Sequence, residues 1–160
     1  LSEQKEWQTR LSLIESSLEL GNSVSEFVGK MGLKKGVSGY ALHVVPVALY
    51  AWLRHPQDFR TALTTTIECG GDTDTVGAIL GALLGASSGT NGIPIEWING
   101  LAEWPRTNKF FLRLAQHLEK QKSGEPKGLV HYFWPGLIPR NILFLVIVLF
   151  HGFRRLLPPY

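Results

Sequence analysis

The sequence predicts an all-α protein, and three features of the 160-residue chain support that prediction. Apolar residues recur every three or four positions, the spacing that places side chains on one face of an α-helix. No segment shows the alternation of apolar and polar residues that is typical of a strand. Hydrophobic residues make up 44% of the chain, enough to bury a core.

The predicted helices of the first third begin and end at recognisable signals. One face of the first helix carries Trp7, Leu11, Ile14 and Leu18. Gly21-Asn22 favours a left-handed cap at its end, and Ser23 with Glu26 matches a capping box that predicts a second, short helix. Range 32–39 predicts a loop, because it holds three glycines and two lysines.

Three further helices follow in the middle of the chain. The apolar run 40–53 predicts a helix with a break near Pro46. Asp58 predicts the start of the next helix, which we expect to end at Gly70-Gly71. The helix after the Asp/Thr segment, 76–89, repeats glycine at every fourth position beside alanines. Because it is apolar all round, we expect a buried central helix that neighbouring helices approach closely.

The last third predicts two more helices, at 94–99 and 107–120, and then an apolar tail. Nine consecutive apolar residues, 142–150, lie between Arg140 and Arg154-Arg155. A membrane span needs roughly 20 apolar residues, so we expect a buried or interface-docking helix, with an interfacial membrane anchor as the alternative. The predicted organisation is an all-α domain over residues 1–120, a linker over 121–128 and the tail over 129–160.

Composition excludes several functional classes. The net charge of +3 comes from scattered basic residues, and no nucleic-acid-binding motif is present. A single cysteine, Cys69, excludes an internal disulfide and a cysteine-based zinc site. The N-terminal residues lack a signal-peptide core. We therefore expect a cytoplasmic protein, and we expect this chain to begin inside a longer one.

The segment Asp72-Thr73-Asp74-Thr75 is the candidate metal site. Asp72, Asp74 and Thr75 offer hard oxygen donors, which suit magnesium, manganese or calcium. If the following helix is central, both carboxylates lie near the interior, where a cation must compensate their charge. In the alternative interpretation Asp72 or Thr73 only caps the helix, and Asp74 is solvated in its first turn.

Range 68–86, together with Gly89 and Gly92-Ile93-Pro94, strongly resembles the C-terminal signature of the ADP-ribosylglycohydrolase family, which includes the dinitrogenase reductase-activating enzymes. Range 39–49 also resembles the family's helix before that signature. The resemblance covers roughly residues 37–104. It implies an orthogonal helical bundle of which this chain holds the C-terminal half, followed by the apolar C-terminal helix.

The resemblance also implies a function and its residues. Asp72, Asp74 and Thr75 would be ligands of two Mg²⁺ or Mn²⁺ ions, and Ser38, Gly39 and Tyr40 would border the substrate pocket. The enzyme would cleave the glycosidic bond between ADP-ribose and an acceptor, in an ADP-ribosylated protein or a small ADP-ribose derivative. Tyr40 is equally explained as a core aromatic, and His43 as a core histidine.

The sequence departs from the family in one large respect. The family's second acidic cluster and its catalytic acid lie in the N-terminal half, and this chain has no counterpart of either. We therefore expect the catalytic residues in a missing N-terminal half, which would be the partner of this chain, and no activity from the chain alone. The alternative is a noncatalytic all-α interaction or membrane-surface module.

Overall fold

The computed structural model describes residues 2–101, 103–124 and 128–157, and within these ranges the chain is all-α. Eight α-helices and no strands are present there, which confirms the predicted fold class. The chain forms two compact units, Leu1–Ile95 and Glu96–Tyr160. The predicted boundaries at residues 120 and 128 stay a prediction.

Five helices build the first unit: α1 Ser2–Glu19, α2 Val24–Lys30, α3 Ala41–Arg54, α4 Phe59–Ile67 and α5 Thr73–Ser88. A short 3-10 turn, Thr90–Gly92, follows α5. Helix α3 packs against the other four helices, and its buried side chains form the centre of the core. Val76, Leu80 and Leu84 of α5 are buried as well. The first unit is therefore organised around α3.

The helix starts in this unit follow the local sequence signals. The Ser23 N–H donates to Glu26 Oε2 at 2.7 Å and the Glu26 N–H donates to Ser23 Oγ at 3.2 Å, which completes the predicted capping box. Asp58 Oδ1 accepts a hydrogen bond from the Thr61 N–H at 2.9 Å at the start of α4. Gly21, with φ of +66°, ends α1 in the expected left-handed conformation.

The predicted break near Pro46 is wrong, because α3 runs without interruption from Ala41 to Arg54. Pro46 lies early in the helix and lacks only the N–H that would bond to the carbonyl four residues before it. Its side chain is buried in the core. Packing around α3 therefore offsets the loss of one helical hydrogen bond.

Tyr50 joins α3 to the turn between α1 and α2. Its ring stacks on Phe27 with centroids 4.1 Å apart and planes 8° apart. Its hydroxyl donates toward Asn22 O at 2.6 Å and Ser17 O at 3.2 Å. Burial raises the pKa of the Tyr50 hydroxyl above its ordinary value. The turn is thus held to the core by a hydroxyl that water does not reach freely.

The second unit contains α7, Asn108–Lys122, and α8, Leu137–Leu156, and a short helix, α6 Ile95–Gly100, lies at its beginning. The Asn108 side-chain amide donates to Ile98 O at 2.6 Å. The rings of Phe110 and Tyr132 lie 5.5 Å apart, and Arg140 forms an ion pair with Glu103.

Helix α8 is exposed along almost its whole length. None of its residues is buried, so the expected burial of this segment is not found within the described residues. With the 3-10 turn before it, the segment Trp134–Leu156 is long and apolar enough to cross a membrane, judged by length and composition.

We predict that Tyr50→Phe lowers the free energy of unfolding by about 1–2 kcal/mol, because the carbonyls of Ser17 and Asn22 lose a buried donor. Urea unfolding followed by circular dichroism measures the change. Tyr132→Phe, in the second unit, is the control and is expected to change stability by less than about 0.5 kcal/mol. Equal effects of the two substitutions would contradict the assigned role of Tyr50.

Candidate metal centre and the adjoining loop

Two loops meet side by side at the start of α5. Val37 and Gly71 form an isolated parallel bridge, in which the Val37 N–H donates to Gly70 O at 3.0 Å and the Asp72 N–H donates to Val37 O at 2.6 Å. The bridge places the loop before α3 beside the turn before α5. Residues far apart in the sequence are thereby brought to one site.

This approach of two backbones requires glycine at two positions. Gly71 has φ of +86°, and a Cβ built on it would collide with the backbone of Val37. Gly36 has φ of +96°, and its Cβ would lie 2.5 Å from the Gly71 nitrogen. A larger residue at either position would force the loops apart.

The Asp/Thr segment starts α5 with an irregular turn. Asp72 is the N-cap residue, with φ of −78° and ψ of 63°, and Asp74 lies in the first helical turn. Side chains two apart on a regular helix point roughly 200° from each other, so the two carboxyls can share one site only where the turn is irregular. Asp72 accepts no well-formed capping hydrogen bond from the backbone. Its carboxyl lies beside Gly39 of the neighbouring loop.

Those neighbours determine the electrostatics of Asp72. Hydrogen bonding to the Asp74 carboxyl lowers the pKa of Asp72 most, followed by the Thr75 hydroxyl, and the Thr75 N–H lowers it further. Two acidic groups this close repel each other when both are ionised, and a cation between them removes the repulsion. Asp72, Asp74 and Thr75 follow one another closely at the start of α5, and their role as metal ligands stays a prediction.

Their burial differs from the expectation. Asp72 is half-buried, while Asp74 and Thr75 are exposed. Helix α5 buries one face only, and Ala78 and Ala82 on its other side are exposed. The expected interior position of both acids is wrong for this chain, because a helix of small and apolar residues is buried only where neighbours cover it.

The glycines of α5 are also less closely packed than the sequence predicts. A Cβ on Gly77 would make ordinary contact with Leu63 at 3.9 Å, but Gly81 and Gly85 have no neighbour within 4 Å of that position. The close helix approach expected along the glycine stripe is therefore not found at these two positions.

The predicted substrate residues lie beside the Asp/Thr segment. Ser38, Gly39 and Tyr40 are all exposed, and a Cβ on Gly39 would lie 2.7 Å from Asp72 Oδ2. The loop and the acid are thus in contact, and glycine is what permits it. Tyr40 is 46% exposed, which excludes the core-aromatic interpretation.

His43 has a role that the sequence interpretation missed. Its Nδ1 lies 2.8 Å from Ser38 Oγ, and its ring meets the Tyr40 ring edge to face with centroids 5.2 Å apart. Half-buried in the first turn of α3, His43 fixes the conformation of the Ser38–Tyr40 loop. The available signal was a histidine one helical turn after a serine-containing loop.

Comparison with known proteins shows the family to which the chain belongs. Residues 1–126 match the profile of the family described as ADP-ribosylglycohydrolase. The chain belongs to the ADP-ribosylglycohydrolase family. No solved structure matches the chain.

Curated relatives come from several organisms. ADP-ribosylhydrolase ARH3 of Gallus gallus is 33% identical over 110 residues, which cover 62% of this chain and 29% of the relative. ADP-ribosylhydrolase ARH3 of Bos taurus is 31% identical over 134 residues, covering 76% of this chain and 34% of the relative. An uncharacterized protein of Archaeoglobus fulgidus is 32% identical over 93 residues, covering 58% of this chain and 30% of the relative. The chain thus spans about a third of the length of these relatives.

ADP-ribosylglycohydrolases are typically metal-dependent, so the oxygen donors of the site can be tested against that requirement. Asp72, Asp74 and Thr75 supply two carboxylates and a hydroxyl, which suit a hard divalent cation. In the part of the chain that the structure describes, no cluster of three or more His, Cys, Asp or Glu side chains is present. The described residues therefore hold no complete metal site, and Asp72, Asp74 and Thr75 stay predicted ligands.

We predict that Gly71→Ala destabilises the first unit far more than Gly70→Ala. Both glycines have positive φ, so both substitutions carry about 1–2 kcal/mol of backbone strain, but only the Cβ at position 71 meets the backbone of Val37. Thermal unfolding of the two variants measures the difference. Similar melting temperatures would argue against the close crossing of the two loops.

We also predict that the pKa of Asp72 lies below its ordinary value of 3.8 and that Thr75→Val raises it toward that value. Since the folded-state pKa is lowered, the contribution of Asp72 to stability is present above the ordinary pKa and is lost as pH falls through the lowered one. Carboxyl-detected NMR titration measures the shift. Thr73→Val is the matched control, and an equal shift there would disprove the assigned neighbour.

Proposed function

We propose that this chain supplies the C-terminal, metal-binding part of an ADP-ribosylglycohydrolase, in which it contributes to cleaving the glycosidic bond between ADP-ribose and a modified acceptor. The family match over residues 1–126 and the relatives named ADP-ribosylhydrolase support the reaction class. The single observation that carries the proposal is the position of Asp72, Asp74 and Thr75 at the start of α5, where the Asp72 carboxyl lies against the loop at Gly39.

In this proposal Asp72, Asp74 and Thr75 hold divalent cations, Mg²⁺ or Mn²⁺, two of them in the complete enzyme. Such ions supply positive charge that orients oxygen groups of the substrate and lowers the pKa of bound water. Three protein oxygens do not complete an octahedral shell. The remaining ligands and the catalytic acid come from the rest of the fold, and this chain alone is inactive.

The loop beside the acids has the binding role. Ser38 and Tyr40 are exposed next to Asp72, and Gly39 leaves the space that the Asp72 carboxylate occupies. A hydroxyl and an exposed aromatic ring suit a ribose and a base, respectively. His43 positions this loop through Ser38. The substrate is an ADP-ribosylated protein or a small ADP-ribose derivative.

The exposed side of α5 is the proposed contact with the rest of the enzyme. Ala78 and Ala82 face outward, and Gly81 and Gly85 have open space above them. Small residues allow another helix to approach closely, which would offset the roughly 0.8–1 kcal/mol of helix stability that each interior glycine forgoes. The partner proposed here is the N-terminal part of the same enzyme. The lone Cys69 suits a cytoplasmic location.

A noncatalytic module remains the second candidate, and the exposed helix α8 is the observation that favours it. In that case the Asp/Thr segment would only start a helix. Metal binding and hydrolysis separate the two candidates.

The first test measures Mn²⁺ binding to the chain itself. We expect paramagnetic broadening of NMR signals centred on residues 72–75, and we expect Asp74→Asn to reduce the apparent affinity by about tenfold or more, because a carboxylate ligand becomes neutral. Asp58→Asn, which changes charge by the same amount at another helix start, is the control. Broadening that is unchanged in Asp74→Asn would exclude the proposed ligand set.

The second test is a chimera in which residues 1–126 replace the matching segment of bovine ADP-ribosylhydrolase ARH3. We expect Mg²⁺-dependent release of ADP-ribose, and loss of at least about a hundredfold in rate on Asp74→Asn. A chimera that folds and binds Mg²⁺ but releases no ADP-ribose would reject the hydrolase proposal in favour of the noncatalytic one.

A further inference from the structure

Helix α8 exposes a large apolar surface. Its side chains from Ile142 to Phe150 are each between 47% and 64% exposed. Contiguous exposed apolar surface of this kind marks a site that another apolar phase covers. At about 1.5 Å per residue, the 20 residues of α8 extend for roughly 30 Å.

The three arginines and the histidine of α8 lie on one face, and Arg140 among them is paired with Glu103. Counted from Arg140, His151 lies 11 positions further along the chain, Arg154 lies 14 positions further and Arg155 lies 15 positions further. At about 100° per residue these separations place all four within roughly 100° of the helix circumference. The opposite side, from Leu145 round to Leu143, is apolar over about 160°. The helix is therefore amphipathic in addition to being strongly apolar.

These dimensions separate the possible arrangements. The segment Trp134–Leu156 has the length and composition of a span. However, the charged Arg140 and Arg154 leave only residues 141–153 between them, which extend for about 20 Å, short of the roughly 30 Å hydrocarbon core of a bilayer. A partner helix covers a stripe of about 100°, narrower than the apolar side of α8. A lipid surface covers a wide apolar face and leaves the charged face in contact with headgroups.

We propose that α8 lies in the plane of a bilayer containing anionic lipid, with its apolar side among the acyl chains and its basic side at the headgroups. The basic face is complementary to anionic headgroups, which attract each Lys or Arg near the surface. Arg140 lies 5.7 Å from the centre of the Phe144 ring, so its guanidinium covers an aromatic side chain on the charged face. Trp134 and Phe133, before the helix, are exposed aromatic side chains of the type found at membrane interfaces.

Flotation of the full chain with vesicles tests the binding. We expect the chain to float with vesicles of phosphatidylcholine and phosphatidylserine and to float less with phosphatidylcholine alone. Arg154→Gln combined with Arg155→Gln lowers the partition coefficient on anionic vesicles by about tenfold. Lys120→Gln combined with Lys122→Gln, an equal change of charge at the end of α7, leaves it within about twofold.

The apolar side is tested in the same assay. Leu149→Asp lowers the partition coefficient by at least about tenfold, because an apolar group that enters lipid is replaced by a carboxylate. Leu118→Asp, on an exposed residue of α7, is the matched control and leaves it nearly unchanged. A wild-type chain that stays with the soluble fraction, or a control that weakens binding as much, overturns the proposal.

The orientation is tested with a fluorescent label at Ile147→Cys or Leu149→Cys in a Cys69→Ser background. These positions lie at the same level of the helix on opposite faces, about 200° apart. We expect aqueous iodide to quench the label at 147 and lipid-borne quencher to reach the label at 149. Quenching of both by lipid would mean that α8 crosses the bilayer and would overturn the in-plane arrangement.

Discussion

The position of the Asp/Thr segment depends on one close crossing of two backbones, at Val37 and Gly71. Two hydrogen bonds hold the loop before α3 against the turn before α5. The loops can come this close because Gly36 and Gly71 have no Cβ. Because α3 and α5 also pack along their lengths, the crossing fixes their ends relative to each other. The acids and the Ser38–Tyr40 loop share a surface as a consequence of this geometry.

The sequence predicted what is encoded within a few residues. The capping box at Ser23, the cap at Asp58 and the end of α1 at Gly21 each involve hydrogen bonds between near neighbours, and each is present. The irregular turn before α5 was also predictable, since Gly70 and Gly71 both adopt the positive φ that glycine permits.

Features that depend on distant neighbours were not predictable in the same way. The burial of α5 depends on what packs against it, and nothing within α5 specifies how many sides are covered. The uninterrupted helix through Pro46 depends on the core around α3. The contact between Ser38 and His43 needs the loop conformation that the crossing at Val37 imposes. The periodicity and composition of a segment predict the helix that it forms. The features named above depend instead on how the helices pack together.

The family membership accounts for an otherwise costly choice of residues in α5. Glycine at positions 81 and 85 weakens the helix, and the first unit places no neighbour close to either. In relatives about twice as long as this chain, the corresponding helix has more protein available to pack on it. The exposed alanines and glycines are consistent with the proposed contact to the rest of the enzyme.

The ion pair between Arg140 and Glu103 has a consequence for how the second unit meets other molecules. Glu103 neutralises the charge of Arg140 near the beginning of α8. Arg154 and Arg155 are exposed at its C-terminal end, where the negative pole of the helix dipole stabilises their positive charges. The unpaired positive charge of this helix is therefore concentrated at its C-terminal end. An anionic surface or molecule that approaches α8 is attracted to this C-terminal end before it contacts the apolar side chains.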